Sequence, residues 1–261
     1  MTTPKDRVDI TKLIGVIVLI ISCSKDDDKR TKLLPTQVEI EFPTATASYQ
    51  TLDITYNNQL LIETVTRTFS NNSQIIYTCS YNSQNQLTNL RIKEPSTGDD
   101  RNYQAEYTNG FLSKIIAIST SGNTEYNIDY NSVTNTYKYN FPYTWKFDSG
   151  NDLEYYYFSS TTAFNITYES GNAFNYFMNS QPVLAIMDSY FAENFYQDLF
   201  FLSQKPITMT RYEDLISSDI IEHHYNNIYD TNNNLITSEI RYNSDVNPSM
   251  IKNVTYQEIS Y

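Results

Sequence analysis

Apolar and polar residues alternate along most of the chain from residue 36 onward. Clear examples are residues 37–42, 62–69 and 126–130. A period of two puts successive side chains on opposite faces of a strand, so these runs predict half-buried strands with one wet face. Turn residues separate the runs at about one strand length, and Asn109-Gly110 is typical of a type I′ hairpin. The pattern therefore predicts a mainly β domain over residues 36–261.

An internal repeat runs through this domain, in which a tyrosine precedes a polar turn and a leucine follows it. Tyr56, Tyr81, Tyr107 and Tyr130 begin successive copies 25, 26 and 23 residues apart, and Tyr229 begins a later copy. A period near 25 residues corresponds to one hairpin. The repeat therefore predicts a meander of hairpins.

One segment departs from the two-residue period. Between residues 183 and 202, apolar residues recur at steps of three or four, and neither Gly nor Pro interrupts them. This spacing predicts one amphipathic helix inserted between strands, packed into the concave side or over an open end of the sheet.

The N-terminus carries the pattern of an export signal. Basic residues precede nine apolar residues, 13–21, which are too few to span a bilayer but sufficient for a signal sequence. Ile20-Ile21-Ser22-Cys23 then resembles a bacterial lipobox, which implies cleavage after residue 22 and a lipid on Cys23. Two or three acyl chains would anchor the protein firmly to a membrane.

Residues 23–35 are predicted to be a flexible, charged tether that ends at Pro35. Its beginning, with Lys25 followed by Asp26, Asp27 and Asp28, resembles the surface-export signal of Bacteroidetes-type lipoproteins. We therefore expect a lipid-anchored protein on the outer surface of the outer membrane; the alternative is an outer-membrane protein that faces the periplasm.

The repeat also carries a resemblance. Its form, Tyr-(Asn/Asp)-x-x-(Asn/Gly)-x-Leu, is similar to the YD-type repeat of bacterial β-hairpin proteins, with Asn in place of most glycines. The arrangement over residues 50–260 resembles the Bacteroidetes lipoprotein domain of unknown function described as porin-like in fold. This resemblance implies a curved antiparallel sheet approaching an open barrel, and it implies no activity.

The net charge makes some binding partners unfavourable, and the cysteine content excludes an internal disulfide. The chain has 30 acidic and 18 basic residues, a net charge of −12, so nucleic acid and anionic lipid are poor partners. With Cys23 lipidated, Cys79 is left without an internal disulfide partner. It lies in a strand-like run with no basic neighbour, and we expect a buried structural thiol.

The sequence offers no catalytic or metal constellation. His223 and His224 are adjacent, so in a strand they point to opposite faces and cannot chelate one metal. Residues 230–241 start like a calcium loop, but Leu235 and Arg241 stand where Gly and Glu are required. We therefore expect no metal, no cofactor and no enzymatic activity.

Aromatic residues concentrate between residues 137 and 158. Among them, Tyr143, Trp145, Tyr155 and Tyr157 are candidate ligand-facing side chains, because aromatic faces beside polar groups suit sugar rings. The alternative is that these tyrosines pair across strands on the wet face of a sheet. We expect a non-enzymatic binding or scaffold module for a glycan, peptide or protein; the alternatives are a carboxylate-dependent glycan hydrolase and a lipid-binding barrel.

Overall fold

The fold was analysed in a computed structural model. It describes residues 31–43, 48–140, 143–159, 162–172, 182–183, 186–187 and 203–261. The predicted signal peptide, Cys23 and the export signal Lys25 to Asp28 lie outside this part of the chain. They stay predictions.

Seventeen strands account for about two thirds of the described residues. They are β1 (Thr31–Phe42), β2 (Ser48–Tyr56), β3 (Ile62–Phe69), β4 (Gln74–Tyr81), β5 (Leu87–Glu94), β6 (Asp99–Thr108), β7 (Phe111–Ile118), β8 (Thr124–Asn127), β9 (Asp129–Asn131), β10 (Thr136–Lys138), β11 (Thr144–Phe147), β12 (Leu153–Ser159), β13 (Thr162–Tyr168), β14 (Ile207–Asp214), β15 (Ile220–Tyr229), β16 (Leu235–Tyr242) and β17 (Met250–Ser260).

All of these strands belong to one antiparallel sheet that curls into a nearly closed barrel. Each strand pairs with its neighbours in the chain, apart from β8 and β9, and β1 pairs with both β2 and β17, which joins the two ends of the meander. β8 pairs with β7 and β9 pairs with β10. Between them lies the single residue Ile128, whose N–H donates to the carbonyl of Ser113 (2.8 Å). The predicted meander of hairpins approaching a barrel is confirmed.

The repeated tyrosines have a common structural role. The pairing register shifts by one residue immediately before Tyr56, Tyr81 and Tyr107, and such bulges turn a side chain out of the regular alternation. The hydroxyl groups donate to backbone carbonyls at the start of an earlier strand: Tyr81 to Ile62 (2.9 Å) and Tyr107 to Leu87 (2.6 Å). Each tyrosine therefore ties its own hairpin to the previous one.

The turn that follows the tyrosine is built on an Asn or Asp side chain. Oδ1 of Asn82 accepts the N–H groups of Gln84 and Gln86, at 2.9 and 3.0 Å. Oδ1 of Asp230 accepts those of Asn232 and Asn234 in the same way, at 2.8 Å each. These bonds explain why residues that resemble a calcium loop are a turn of the repeat, since this carboxylate is occupied by its own backbone.

All of these turns lie at one end of the barrel, which we call the tyrosine end. Strands β2 to β7 alternate in direction, so β2, β4 and β6 all finish at the same end. The turns that follow Tyr56, Tyr81 and Tyr107 therefore lie there together. β1 starts and β17 finishes at the same end, because Thr31 pairs with Ser260. Thr31, the first described residue, therefore lies at the tyrosine end.

The predicted tether extends too far into the chain. Residues 31–35 belong to β1 and pair with the last residues of β17, and Leu34 is 1% exposed. The carbonyl of Pro35 accepts the hydroxyl of Tyr56 at 2.6 Å. The hydroxyl of a repeat tyrosine thus binds to a segment that the charge pattern alone assigned to a linker.

The interior of the barrel is filled by two hydrophobic clusters. The larger joins β4–β7 to β10–β14, and the smaller joins β1–β3 to β16 and β17. Residues 182–183 and 186–187 are helical, and Val183, Ile186 and Met187 are buried in the larger cluster. The start of the predicted helix therefore packs inside the barrel, and its remainder lies outside the described residues. No helix in the described part of the chain is long and apolar enough to cross a membrane.

Candidate functional site

The four candidate aromatic residues divide between the two faces of the barrel wall. Trp145 pairs with Tyr137 on one side and Tyr156 on the other, and all three rings point into the barrel. Trp145 is 1% exposed and stacks on Tyr156, with ring centroids 5.2 Å apart and planes 9° apart. Tyr143 packs against the same cluster. Trp145 therefore belongs to the core, and Tyr143 is partly buried against it.

Tyr155 and Tyr157 lie on the outside. They are half-buried and form an edge-to-face pair, with centroids 5.1 Å apart and an interplanar angle of 77°. The structure therefore brings these two residues together and separates them from Trp145 and Tyr143 by the thickness of the sheet.

An outer groove of about 860 Å³ runs over β9–β12 beside this pair. Its wall consists of two rows of outward side chains: Asp129, Lys138, Thr144 and Tyr157 in one, and Asn131, Thr136, Lys146 and Tyr155 in the other. The strands are short here and the β11–β12 register shifts after Lys146, which bends the wall. We call this the outer groove.

Lys146 is held in a defined position in the outer groove. Its ammonium group lies 2.5 Å from a carboxylate oxygen of Glu154 and 5.8 Å from the ring centroid of Tyr155. The hydrogen bond to Glu154 raises the pKa of Lys146, so this residue stays a cation at neutral pH. Asp129 lines the groove, and Glu154 borders it through its ion pair with Lys146.

The outer groove combines aromatic rings with polar and charged groups. Two perpendicular phenol rings offer apolar faces and polar hydroxyl tips, and hydroxyl, amide and ammonium groups surround them as hydrogen-bond donors and acceptors. Hydrolysis of a glycoside by the usual route needs two carboxylates across the scissile bond. The lining that the structure describes holds one.

A pair of carboxylates that the sequence analysis did not single out lies at the tyrosine end. Asp148 and Asp152 both face Lys205, whose ammonium group bonds to Asp148 and lies 3.9 Å from Asp152. Asp152 also accepts the N–H of Gln204 at 2.6 Å. Burial, together with repulsion from Asp148, raises the pKa of Asp152 to about 6.

A signal for this pair is present in the sequence. Residues 148–153, Asp-Ser-Gly-Asn-Asp-Leu, match the repeat, and Oδ1 of Asp148 accepts the N–H groups of Gly150 and Asp152 as Asn82 does in its own turn. This copy of the repeat is hard to recognise in the sequence because Phe147 stands where the other copies have Tyr. The pair fastens the residues after the insert to a repeat turn, which is a structural role.

The remaining predicted residues lie away from the groove. His223 packs edge-to-face on Tyr242 with centroids 5.6 Å apart, whereas His224 is exposed and lies 3.2 Å from Glu222. Cys79 is a buried free thiol, and burial raises its pKa to about 12; the predicted structural thiol is confirmed. No group of three His, Cys, Asp or Glu side chains within the described ranges could hold a metal ion.

Comparison with known proteins finds similarity in solved structures alone. No family model and no curated protein matches the chain. A porin-like protein from Bacteroides uniformis ATCC 8492 aligns with a TM-score of 0.42 at 15% identity, over 85% of this chain and 98% of that one. A porin-like protein from Bacteroides vulgatus ATCC 8482 aligns with a TM-score of 0.41 at 11% identity, over 87% and 99%. The lipoprotein part of the resemblance stays a prediction.

Proposed function

We propose that this protein is a lipid-anchored cell-envelope module that binds a glycan, without chemical turnover, in the outer groove. The observation that carries the proposal is the perpendicular pair Tyr155 and Tyr157, set on the outside of the barrel in a polar groove. Aromatic rings usually contribute to cores, as Trp145 does here. Two neighbouring rings on the outer wall of a groove have no core to fill.

A sugar ring matches this surface in both parts of its chemistry. Its axial C–H faces are apolar and pack on a phenol ring, while its hydroxyl groups exchange hydrogen bonds with donors and acceptors around the rim. Thr144 and Lys146 lie directly beside the two rings in the pairing register. Contacts of this kind hold a ligand without activating it.

The two alternative functions have less support. A hydrolase would need a second carboxylate facing Asp129; the described lining of the groove holds none, and the bordering Glu154 is ion-paired with Lys146. A lipid-binding barrel would need an apolar lumen open at one end. The described interior instead holds two packed clusters, and the charged side chains of Arg67 and Lys252 are 1% and 0% exposed inside it.

The outward positions of the strands support a barrel that lies on a membrane instead of within one. Glu39, Asp53, Lys93 and Glu106 are exposed and alternate with buried residues, whereas a membrane-spanning barrel presents an apolar band to lipid. A lipid on Cys23 would hold the tyrosine end toward the membrane, because β1 starts there. The side wall with the outer groove then stays open to solvent.

The test is binding of the detergent-purified protein to an array of neutral and acidic oligosaccharides. We expect at least one glycan class to bind, and the double variant Tyr155→Ala/Tyr157→Ala to lose that binding by at least tenfold, since stacked aromatics dominate such contacts. Tyr49→Ala is the matched control, because Tyr49 is an outward tyrosine of β2, 52% exposed and outside the groove. Glycan binding that survives the double variant would contradict the proposal.

The anchor has its own test. Cells that express the protein should incorporate radioactive palmitate into it, and Cys23→Ala should abolish the label. A labelled Cys23→Ala protein would show that the lipid is elsewhere.

A further inference from the structure

We infer that the glycan taken by the outer groove is uncharged and that its chain turns between consecutive sugars; this inference rests on the proposed function. Two observations carry it. The charged side chains in and beside the groove lie in pairs of opposite sign, and the rings of Tyr155 and Tyr157 are nearly perpendicular.

The charges of the groove balance within the described residues. Lys146 is paired with Glu154 at 2.5 Å, and Lys138 lies directly opposite Asp129 in the pairing of β9 with β10, where unlike charges attract each other. The groove therefore offers no net positive charge, and the chain as a whole carries −12. The field of the protein repels an acidic glycan, and no local excess of cations offsets that repulsion.

The rest of the lining suits a neutral sugar. Six of the eleven residues that line the groove are Asn, Ser or Thr. Their amide and hydroxyl groups both donate and accept hydrogen bonds, as the hydroxyl groups of a sugar do. A neutral glycan therefore binds without breaking an ion pair, whereas a carboxylate placed next to Lys146 would compete with Glu154.

The two phenol rings are arranged for a chain that turns. Their centroids are 5.1 Å apart and their planes differ by 77°, and a sugar stacks with its apolar face parallel to the ring beneath it. Consecutive sugars of a cello-oligosaccharide lie nearly in one plane, so such a chain stacks on Tyr155 or on Tyr157. The chain of a malto-oligosaccharide or a laminari-oligosaccharide turns from one sugar to the next, so neighbouring sugars can stack on both rings.

The turn of the chain is tested by isothermal titration calorimetry of the detergent-purified protein with maltohexaose, laminarihexaose and cellohexaose, which differ only in their linkages. We expect at least one of the two turned chains to bind roughly tenfold more tightly than cellohexaose, the contribution of the second stacked ring. Tyr155→Ala and Tyr157→Ala, made singly, should each reduce this preference to about two- to threefold. Tyr49→Ala, in β2 outside the groove, is the matched control and should keep it. Equal binding of the three hexasaccharides, no binding of any of them, or a preference that both single variants retain would overturn the inference.

The charge is tested with the turned chain that binds more tightly and with the same chain oxidised to carboxylates at its primary hydroxyl groups. We expect oxidation to weaken binding by roughly fivefold or more. Glu154→Gln releases Lys146 and should recover about threefold of the affinity for the oxidised chain, while affinity for the neutral chain changes by less than about twofold.

Glu239→Gln is the matched control, because Glu239 is paired with Arg241 at 2.6 Å outside the groove, and it should recover none of this affinity. Equal or tighter binding of the oxidised chain to the unmodified protein would overturn the neutral specificity, as would equal recovery in the two glutamate variants. Array binding confined to acidic or flat glycans, and lost in Tyr155→Ala/Tyr157→Ala, would overturn the inference and leave the proposed function intact. Failure of every glycan on the array to bind would overturn both.

Discussion

The wall formed by β2–β7 and the wall formed by β9–β13 have the same alternation of inward and outward residues, but their tyrosines have different roles. In the first, hairpins of eight to ten residues per strand repeat with a tyrosine bulge, and each tyrosine ties one hairpin to the previous one. In the second, three strands have three or four residues, the β12–β13 register has a further shift after Tyr157, and two tyrosines face outward. The first wall we call the repeat wall, and the second the groove wall.

The difference shows where a binding surface can arise on a repetitive scaffold. In the repeat wall, tyrosine hydroxyl groups are consumed by backbone carbonyls, so the residues that define the repeat contribute to stability. In the groove wall, Tyr155 and Tyr157 lie in the regular alternation of β12, and Phe147 replaces the tyrosine of the repeat. The groove wall still contains one tyrosine of the repeat type, because the hydroxyl of Tyr168 donates to the carbonyl of Leu153 at 2.7 Å; the outward position of Tyr155 and Tyr157 comes from the alternation of β12.

The largest expected effect is on the free energy of unfolding, and it distinguishes the inner face of the groove wall from the outer face. Trp145→Ala removes a fully buried ring stacked on Tyr156 and should lower the free energy of unfolding by about 3–5 kcal/mol. Tyr155→Ala, on the outer face, should change it by less than about 1 kcal/mol while weakening glycan binding. Denaturant unfolding measures both. Equal losses in the two variants would remove the distinction between a core ring and a groove ring.

An intermediate effect is expected on the pH dependence of stability, and it compares one repeat turn with another. Asp152 in the groove wall corresponds to Gln86 in the repeat wall, and its pKa is raised to about 6. Because the folded state disfavours the ionised form, stability should fall as pH rises from about 4 to 6 and stay lower above that. Asp152→Asn keeps the acceptor for Gln204 and should remove this fall, a gain of about 1–3 kcal/mol at pH 7.5.

Calorimetric unfolding of both proteins between pH 4 and 7.5 is the measurement. The variant Gln86→Asn serves as the control, since residue 86 carries no charge in either form and its pH dependence should follow that of the unmodified protein. A difference between Asp152→Asn and the unmodified protein that stays constant with pH would contradict the assignment.

The smallest expected effect tests the repeat wall. Tyr107→Phe removes the hydroxyl that donates to Leu87 and should cost about 1 kcal/mol, the usual net value of one such hydrogen bond. Tyr49→Phe, which alters an exposed tyrosine of β2, should cost almost nothing. Equal stability of the two variants in urea would mean that the tyrosines of the repeat act through ring packing alone.

Much of the repeat wall could be predicted from the sequence, because its determinants are local. The alternation, the turn at Asn109-Gly110 and the spacing of Tyr56, Tyr81 and Tyr107 each depend on a few neighbouring residues. Asn109 and Gly110 have φ values of 53° and 85°, as a type I′ turn requires. The extension of β1 to Thr31 was missed since its partner strand is β17, at the other end of the chain.

The candidate site shows the limit of the same reasoning. Alternation alone places Tyr143 with Trp145 on one face of a strand and Tyr155 with Tyr157 on one face of the next, so both pairings can be read from the residue spacing. Whether the two pairs share a face depends on the register between β11 and β12. In the folded barrel Trp145 lies opposite Tyr156, so one pair enters the core and the other lines the outer groove.

The physical reason is that a shift of one residue in register exchanges the two faces of a strand. Local sequence sets the period of a strand, and burial of its apolar face against distant strands sets the phase. The chain's own residues therefore determined an antiparallel meander tied together by tyrosines and turned on asparagine. Closure of that meander on itself decided which aromatic rings are interior and which remain available for binding.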